Sequence, residues 1–341
     1  MLQHVMNQKK GTGKTALITG ASSGIGQELA KLFAQDGYNL VLVARSVETL
    51  HRLSEVFEMN YGTEQALVIE KDLSEEDAAR DVYEQVKAKG ITVDVLVNDA
   101  GVSTYGKFAD ETDWETEKSM IHLNVLTTTL MTKLFLKDMV ARNEGKILNL
   151  ASLVSITPFP LQAVYAATKS YIWNLSQSLV NELKDVNVTI TALMPNATDT
   201  DFFNKAGASD VLVTEMLDDA AMVAKDGYEG LMAGKAKVVP GGLKNKLTEV
   251  MAYVSPQQML AGQMRMLNTP KDEVAEGAKQ SAWAIGLGLA AVAVTGIALA
   301  ALWRNVPETD KLQYRCQYGK ARYKAGKAYQ GAKDAVTDAL A

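Results

Sequence analysis

Cysteine is nearly absent from this chain. Cys316 is the only one in 341 residues, which excludes an internal disulfide and a thiolate zinc cluster. Histidine is scarce as well. His4, His51 and His122 have no second ligand near them in the sequence, so no metal centre is expected. The first residues, Met1 to Lys14, lack any apolar run, so no secretory leader is read, and the body of the chain is expected to face the cytoplasm. An excess of basic residues is also missing. Lys and Arg number 35 against 40 Asp and Glu, for a net charge of −5, which offers nothing to a nucleic acid partner. What remains is a folded composition, 47% hydrophobic and 22% charged, in a chain long enough for one large core and something more.

From Thr15 to about Gly241, short apolar runs alternate with longer helix-like stretches. The runs are Thr15–Gly20, Asn39–Arg45, Ala66–Asp72, Val93–Val97, Lys146–Leu150, Val188–Met194 and Ala236–Val239. Their apolar character is continuous rather than alternating, as in strands covered on both faces. The spacing predicts an α/β fold with a doubly wound parallel sheet. Lys244–Leu267 reads as a helix rich in Met and Gln, ended by Asn268-Thr269-Pro270. The expected organisation is a catalytic domain over 1–255, a linker or helical extension over 256–281, an apolar segment over 282–303 and a basic, Ala- and Tyr-rich helical tail over 304–341.

Thr19-Gly20-Ala21-Ser22-Ser23-Gly24-Ile25-Gly26 follows the first strand and opens a helix. Glycines there let the backbone turn tightly and let a pyrophosphate approach unpaired N–H groups at the helix N-terminus. Gly13-Lys14-Thr15 does not complete a nucleoside-triphosphate loop. Gln8 stands where that motif needs glycine, and Lys14 precedes a strand instead of following one.

The segment Thr19–Gly26 resembles the cofactor loop of the short-chain dehydrogenase/reductase family, whose fold is of the Rossmann type, and further motifs of that family recur in order. Asn98-Asp99-Ala100-Gly101 matches its Asn-Asn-Ala-Gly motif except at Asp99, which adds a possible charge. Asp72-Leu73 is similar to its adenine-contacting pair. Asn124, Ser152 and Tyr165-Ala-Ala-Thr-Lys169 match its catalytic asparagine, serine and Tyr-x-x-x-Lys pair. Pro195-Asn196-Ala197-Thr198-Asp199-Thr200 stands where the family has Pro-Gly and then a threonine. Asn196 suits that glycine position if positive φ is required. The resemblance covers residues 14–240. It implies a cofactor site of Gly20, Ser22, Ser23, Gly24, Ile25, Gly26, Asp72, Leu73, Asn98, Ala100, Gly101, Tyr165, Lys169, Pro195, Thr198 and Thr200. It also implies homo-oligomers.

Tyr165 and Lys169 lie four apart in a helix-like stretch, so they share a face. A free tyrosine titrates near ~10. A nearby ammonium and an oxidised nicotinamide would favour the phenolate, making Tyr165 acid in carbonyl reduction and base in alcohol oxidation. Ser152 would steady the carbonyl oxygen. By the family pattern, Lys169 also holds the nicotinamide ribose and Asn124 positions a relay water. The second strand ends in Val43-Ala44-Arg45-Ser46, with no carboxylate for a ribose 2′-OH. Arg45, with Ser46, suits a 2′-phosphate, which makes NADP(H) the expected cofactor over NAD. Ser23 argues slightly the other way, since some NADP-preferring relatives carry a basic residue there. The flanking segments contain Ile156, Phe159, Leu161, Phe202, Phe203, Val211 and Leu212, which suits an apolar carbonyl or alcohol substrate. The rival reading is a dinucleotide-binding scaffold or redox sensor without turnover.

Ala282–Trp303 has 22 residues and no charge. Trp283 and Trp303 are 20 residues apart, about 30 Å along a helix, which matches the hydrocarbon thickness and the preference of tryptophan for both interfaces. A transmembrane helix in contact with lipid is expected, with the catalytic domain on the cytoplasmic side. The basic residues after the segment, Arg304, Lys311, Arg315, Lys320 and Arg322, favour keeping the tail inside too, and one crossing cannot satisfy both. Detergent-free fractionation tests the anchor: the full chain is expected in the membrane pellet, and recovery in the supernatant would exclude it.

Overall fold

The computed structural model describes residues 9–63 and 66–274. The segments 282–303 and 304–341, with the expected transmembrane helix, lie outside the described residues. Among the described residues no helix is long and apolar enough to cross a membrane.

Among the described residues, seven strands form one parallel sheet in the order β3-β2-β1-β4-β5-β6-β7. They are β1 Thr15–Thr19, β2 Asn39–Ala44, β3 Ala66–Glu70, β4 Val95–Asn98, β5 Gly145–Leu150, β6 Val188–Leu193 and β7 Lys237–Val238. The helices are α1 Gly24–Gln35, α2 Val47–Tyr61, α3 Ala78–Ala88, α4 Trp114–Ile121, α5 Thr128–Ala141, α6 Ala163–Glu182, α7 Phe202–Lys205, α8 Ala220–Met232, α9 Gly242–Val254 and α10 Gln257–Leu267. A π-helix, His122–Thr127, joins α4 to α5.

The continuous apolar runs have the expected cause. Ala16, Ile18, Leu40 and Leu42 face a core shared with α1, α2 and α8, while Leu17, Val41 and Val43 face a second core under α3 and α5. Every residue of β1 is buried, because the first strand is central and helices cover both its faces. Phe33 of α1 meets Tyr38 and Tyr228 edge-on, at centroid distances of 5.1 and 4.9 Å, and ties α1 to α8.

The sheet reverses its winding between β1 and β4, and loops leaving the carboxyl ends of those strands splay apart there. That crevice collects the expected site residues.

Two details differ from the sequence reading. Lys244–Leu267 is two helices, because Pro256 has no N–H to donate and holds Ser255 extended, at φ −83° and ψ 146°. The extension after residue 255 also packs closely. Pro270 bridges Val211, and the wholly buried Asn268 bonds three partners: Gln162 Nε2 to its Oδ1 at 2.9 Å, its own Nδ2 to Pro160 O at 2.8 Å, and Tyr105 Oη to its carbonyl at 2.8 Å.

Candidate active site

The glycine loop forms the floor of the crevice. Gly20 and Gly24 have φ of 71° and 57°, a region L side chains rarely adopt. Gly26 is required by space instead: a Cβ there would come within 2.5 Å of Asp99 Oδ2 and 2.6 Å of Gly20 O. Ser23 occupies the N-cap of α1 but makes no side-chain cap, so it leaves first-turn N–H groups available to an anion. Ser22 is half-buried, Ser23 exposed and Ile25 buried in the first core. Thr200 overhangs the loop, with its Cγ2 2.9 Å from where a Cβ of Gly24 would stand.

At the rim, Arg45 is largely exposed and reaches Asp72 at 3.7 Å. Asp72 also accepts Ser74 N at 2.9 Å and Ser74 Oγ at 2.7 Å, and these bonds with Arg45 hold it below the usual carboxylate range against the opposing effect of burial. Ser46 is exposed at the start of α2, and Leu73 is buried with its carbonyl held by Thr127 Oγ1 at 2.7 Å.

Asn98, expected in the cofactor site, does not aim its side chain at the crevice. Its side chain turns inward, donating to Thr132 Oγ1 at 3.0 Å and Asn149 Oδ1 at 2.9 Å, because it ends a strand packed against α5. Asn149 passes the chain on to Ser176 of α6 at 3.0 Å. Ala100 N and Asp99 N both donate to Thr19 Oγ1 at 3.1 Å, which joins the ends of β1 and β4.

Ser152, Tyr165, Lys169 and Asn124 converge beyond β4 and β5. Lys169 Nζ lies 5.8 Å from the Tyr165 ring centroid and donates to Leu150 O at 2.8 Å. Asn124, in the π-helix, exchanges two bonds with Val102, at 2.9 and 3.1 Å, and donates to Thr168 Oγ1 at 3.1 Å. Gly101 separates the last two: a Cβ there would lie 3.3 Å from Asn124 Oδ1 and 3.4 Å from Lys169 Nζ. Ser152 Oγ accepts Val154 N at 3.3 Å and approaches Pro195 O at 3.4 Å.

Burial dominates the electrostatics. It lowers Lys169 to about 8 and raises Tyr165 well above its ordinary value. The Ser152 hydroxyl beside Tyr165 acts the other way, and Asp99 raises it further. Of the two cations expected to favour the phenolate, Lys169 by itself does not outweigh burial. Without a bound cation, the enclosed phenol keeps its proton. Asp99 itself is pushed up to about 7 by burial, against the opposing pull of Lys169 and the Gly26 N–H. The folded chain therefore holds a proton on Asp99 from about pH 4, the range of a free carboxyl, up to about 7, and its stability falls as pH rises through that window.

The loop after β6 shows why Asn196 replaces glycine. Its φ is not positive, contrary to the sequence expectation, so glycine's freedom is not needed. Its amide instead donates to the buried Asn245 at 3.2 Å, tying the loop to α9. Thr198 Oγ1 donates to Asn196 O at 2.9 Å.

Of the expected apolar residues, Phe159 and Phe202 pack around Tyr165, with Phe202 at a centroid distance of 5.2 Å. Met120, Val102 and Met264 join them, and sequence reasoning missed all three. Met264 comes from α10, about 100 residues downstream of Tyr165, so no local pattern could reveal it. Ile156 packs instead with Leu153, Ile172 and Met194, while Phe203 and Val211 form another cluster and Leu212 is buried. Leu161 adopts φ 69°, a strained value for a bulky residue, held by Gly106 N donating to its carbonyl at 2.9 Å.

The family model for short chain dehydrogenase matches residues 14–210, more than half of the chain. The chain belongs to this family. It is 35% identical over 190 residues to rat 17-beta-hydroxysteroid dehydrogenase type 3, covering 55% of this chain and 61% of that protein. It is 34% identical over 190 residues to the very-long-chain 3-oxoacyl-CoA reductase of Anas platyrhynchos, covering 54% and 60%. The matches thus span about three-fifths of these relatives. Among solved structures, a short-chain dehydrogenase from Sphingobium yanoikuyae in complex with NADPH superposes with a TM-score of 0.63 at 26% identity, covering 77% of this chain and 98% of that one.

The residues present fit a dinucleotide: a glycine cradle, an uncapped helix N-terminus and an exposed arginine at the end of β2. Gly26→Ala tests the cradle. The displaced loop is expected to cost about 1–3 kcal/mol of stability in chemical denaturation, and an unchanged midpoint would show that the loop yields freely.

Proposed function

We propose that the chain is an NADP(H)-dependent oxidoreductase acting on a carbonyl or alcohol group of an apolar substrate. The observation that carries this reading is the convergence of Ser152, Tyr165 and Lys169 beside the glycine loop, at the carboxyl ends of β4 and β5. When bound, the nicotinamide supplies or accepts the hydride.

The chain's own residues do the rest. Gly20, Ser22, Ser23, Gly24, Ile25 and Gly26 would cradle the pyrophosphate with backbone N–H groups. Arg45 and Ser46 would take the 2′-phosphate, drawing Arg45 away from its long contact with Asp72. Thr198 and Thr200 would close over the nicotinamide end. Tyr165, held protonated by burial, is poised to give its proton to a carbonyl oxygen. Ser152 would hydrogen-bond that oxygen as charge develops. Lys169 brings an ammonium to the phenol, and Asn124 ties the π-helix to Thr168, the residue before Lys169.

Phe159, Phe202, Met120 and Met264 make the surroundings of Tyr165 apolar, which favours a lipid-like ketone over a charged one. Relatives named for a hydroxysteroid and a very-long-chain 3-oxoacyl-CoA support the same class.

NADPH oxidation against a panel of apolar and charged carbonyl compounds tests the reading. Tyr165→Phe is expected to lower turnover by about 10²–10⁴-fold while NADPH still binds. Equal turnover in both proteins would remove Tyr165 as the proton donor. Arg45→Ala is expected to weaken NADPH binding about tenfold or more and leave NADH binding nearly unchanged. Equal losses for the two cofactors would place the 2′-phosphate elsewhere.

A further inference from the structure

Asp99 is the one residue of the Asn98–Gly101 motif that departs from the family pattern, and its surroundings give it work. It follows β4 directly, behind the glycine loop. Its Oδ2 lies 2.8 Å from where a Cβ of Gly20 would stand and 2.5 Å from that of Gly26. Its Oδ1 is enclosed and has no hydrogen-bond partner among the described residues. The Gly26 N–H, in the first turn of α1, points at the carboxyl. Lys169 and Tyr165, both on α6, are the titratable groups that face it. From β1 comes only the Thr19 hydroxyl, which binds the Asp99 main chain, and the glycine loop brings no ionisable side chain.

Two anions would therefore compete for one helix N-terminus. The Asp99 carboxylate approaches from inside the protein, and a pyrophosphate would approach from the crevice. The carboxylate draws on the Gly26 N–H and a pyrophosphate would draw on the first-turn N–H groups beside it, both at the same end of the helix dipole. With little water between them, each raises the cost of the other's charge. Protonation of Asp99 removes the conflict, and it leaves a neutral group rather than a charge at the enclosed Oδ1, which costs less to bury.

We propose that Asp99 is a proton-linked positioning residue: it takes up a proton from solvent as the dinucleotide binds, so that affinity for the cofactor falls as pH rises. The neutral amide of asparagine would not couple in this way. The inference rests on the reading of this crevice as a dinucleotide site. Burial already brings Asp99 to about 7, so a modest further push from a bound anion carries the proton across neutral pH. Lys169 does not cancel the effect, because below its own value of about 8 it stays cationic beside either form of Asp99.

The test compares the full chain with Asp99→Asn, which preserves shape and removes the ionisation. NADPH binding is followed by fluorescence from pH 6 to 8.5, and infrared difference spectra are taken between bound and free protein at pH 7.5. The two proteins are expected to bind equally near pH 6, while the wild type binds about three- to tenfold more weakly near pH 8. A protonated-carboxyl band is expected to appear on binding in the wild type and to be missing in Asp99→Asn. A ratio of dissociation constants that does not change with pH, or the same infrared band in both proteins, would overturn the proposal. Absence of NADPH binding by either protein at every pH would instead overturn the dinucleotide site, and the proposal with it.

Discussion

The close approach of α1 to the end of β4 is the contact on which the crevice depends. A helix that starts immediately after a central strand must turn within a few residues, and its first turn must then lie against the neighbouring strand. Gly20 provides the backbone turn and Gly26 the missing volume, so Asp99 can sit within contact distance of both. Any side chain at Gly26 would push the helix N-terminus away from the sheet, and with it the unpaired N–H groups that make the floor attractive to an anion. The hydroxyl of Thr19 completes this joint by binding two successive amides at the end of β4.

A second layer holds the reactive side chains. The buried chain Asn98–Asn149–Ser176 links β4, β5 and α6 through hydrogen bonds that no water can replace. That chain joins the sheet to α6, and α6 carries Tyr165 and Lys169. The environment it creates is dry enough to hold a tyrosine protonated, a lysine lowered and an aspartic acid raised within one small volume. Perturbed groups gathered in a crevice are what proton-transfer chemistry requires. The same dryness gives a single carboxyl in place of an amide a consequence for affinity.

The end of α10 closes the arrangement from far along the chain. Asn268 spends its side chain on Gln162 and Pro160 and its carbonyl on Tyr105, so the segment before it is held against the entrance to α6. Met264 thereby reaches the apolar group around Tyr165. The extension after residue 255 is thus part of the apolar group around Tyr165.

Much of this was legible beforehand, for physical reasons. Continuous apolar runs have few uses other than strands covered on both faces, so β1 to β7 could be located from the pattern of apolar residues along the chain. Glycines between a strand and a helix, Tyr165 and Lys169 one helical turn apart, and the lack of a carboxylate near Arg45 are local signals, each carried by a few consecutive residues. What the sequence determined by itself was therefore the fold class, the order of the elements and the candidate chemistry. Only the tertiary structure decided that the Asn98 side chain turns inward, that Asn196 needs a partner and not a positive φ, that α10 lines the site, and that Asp99 sits behind the glycine loop. These depend on distances between residues far apart in the chain and on how completely water is excluded, and neither quantity is written in local sequence.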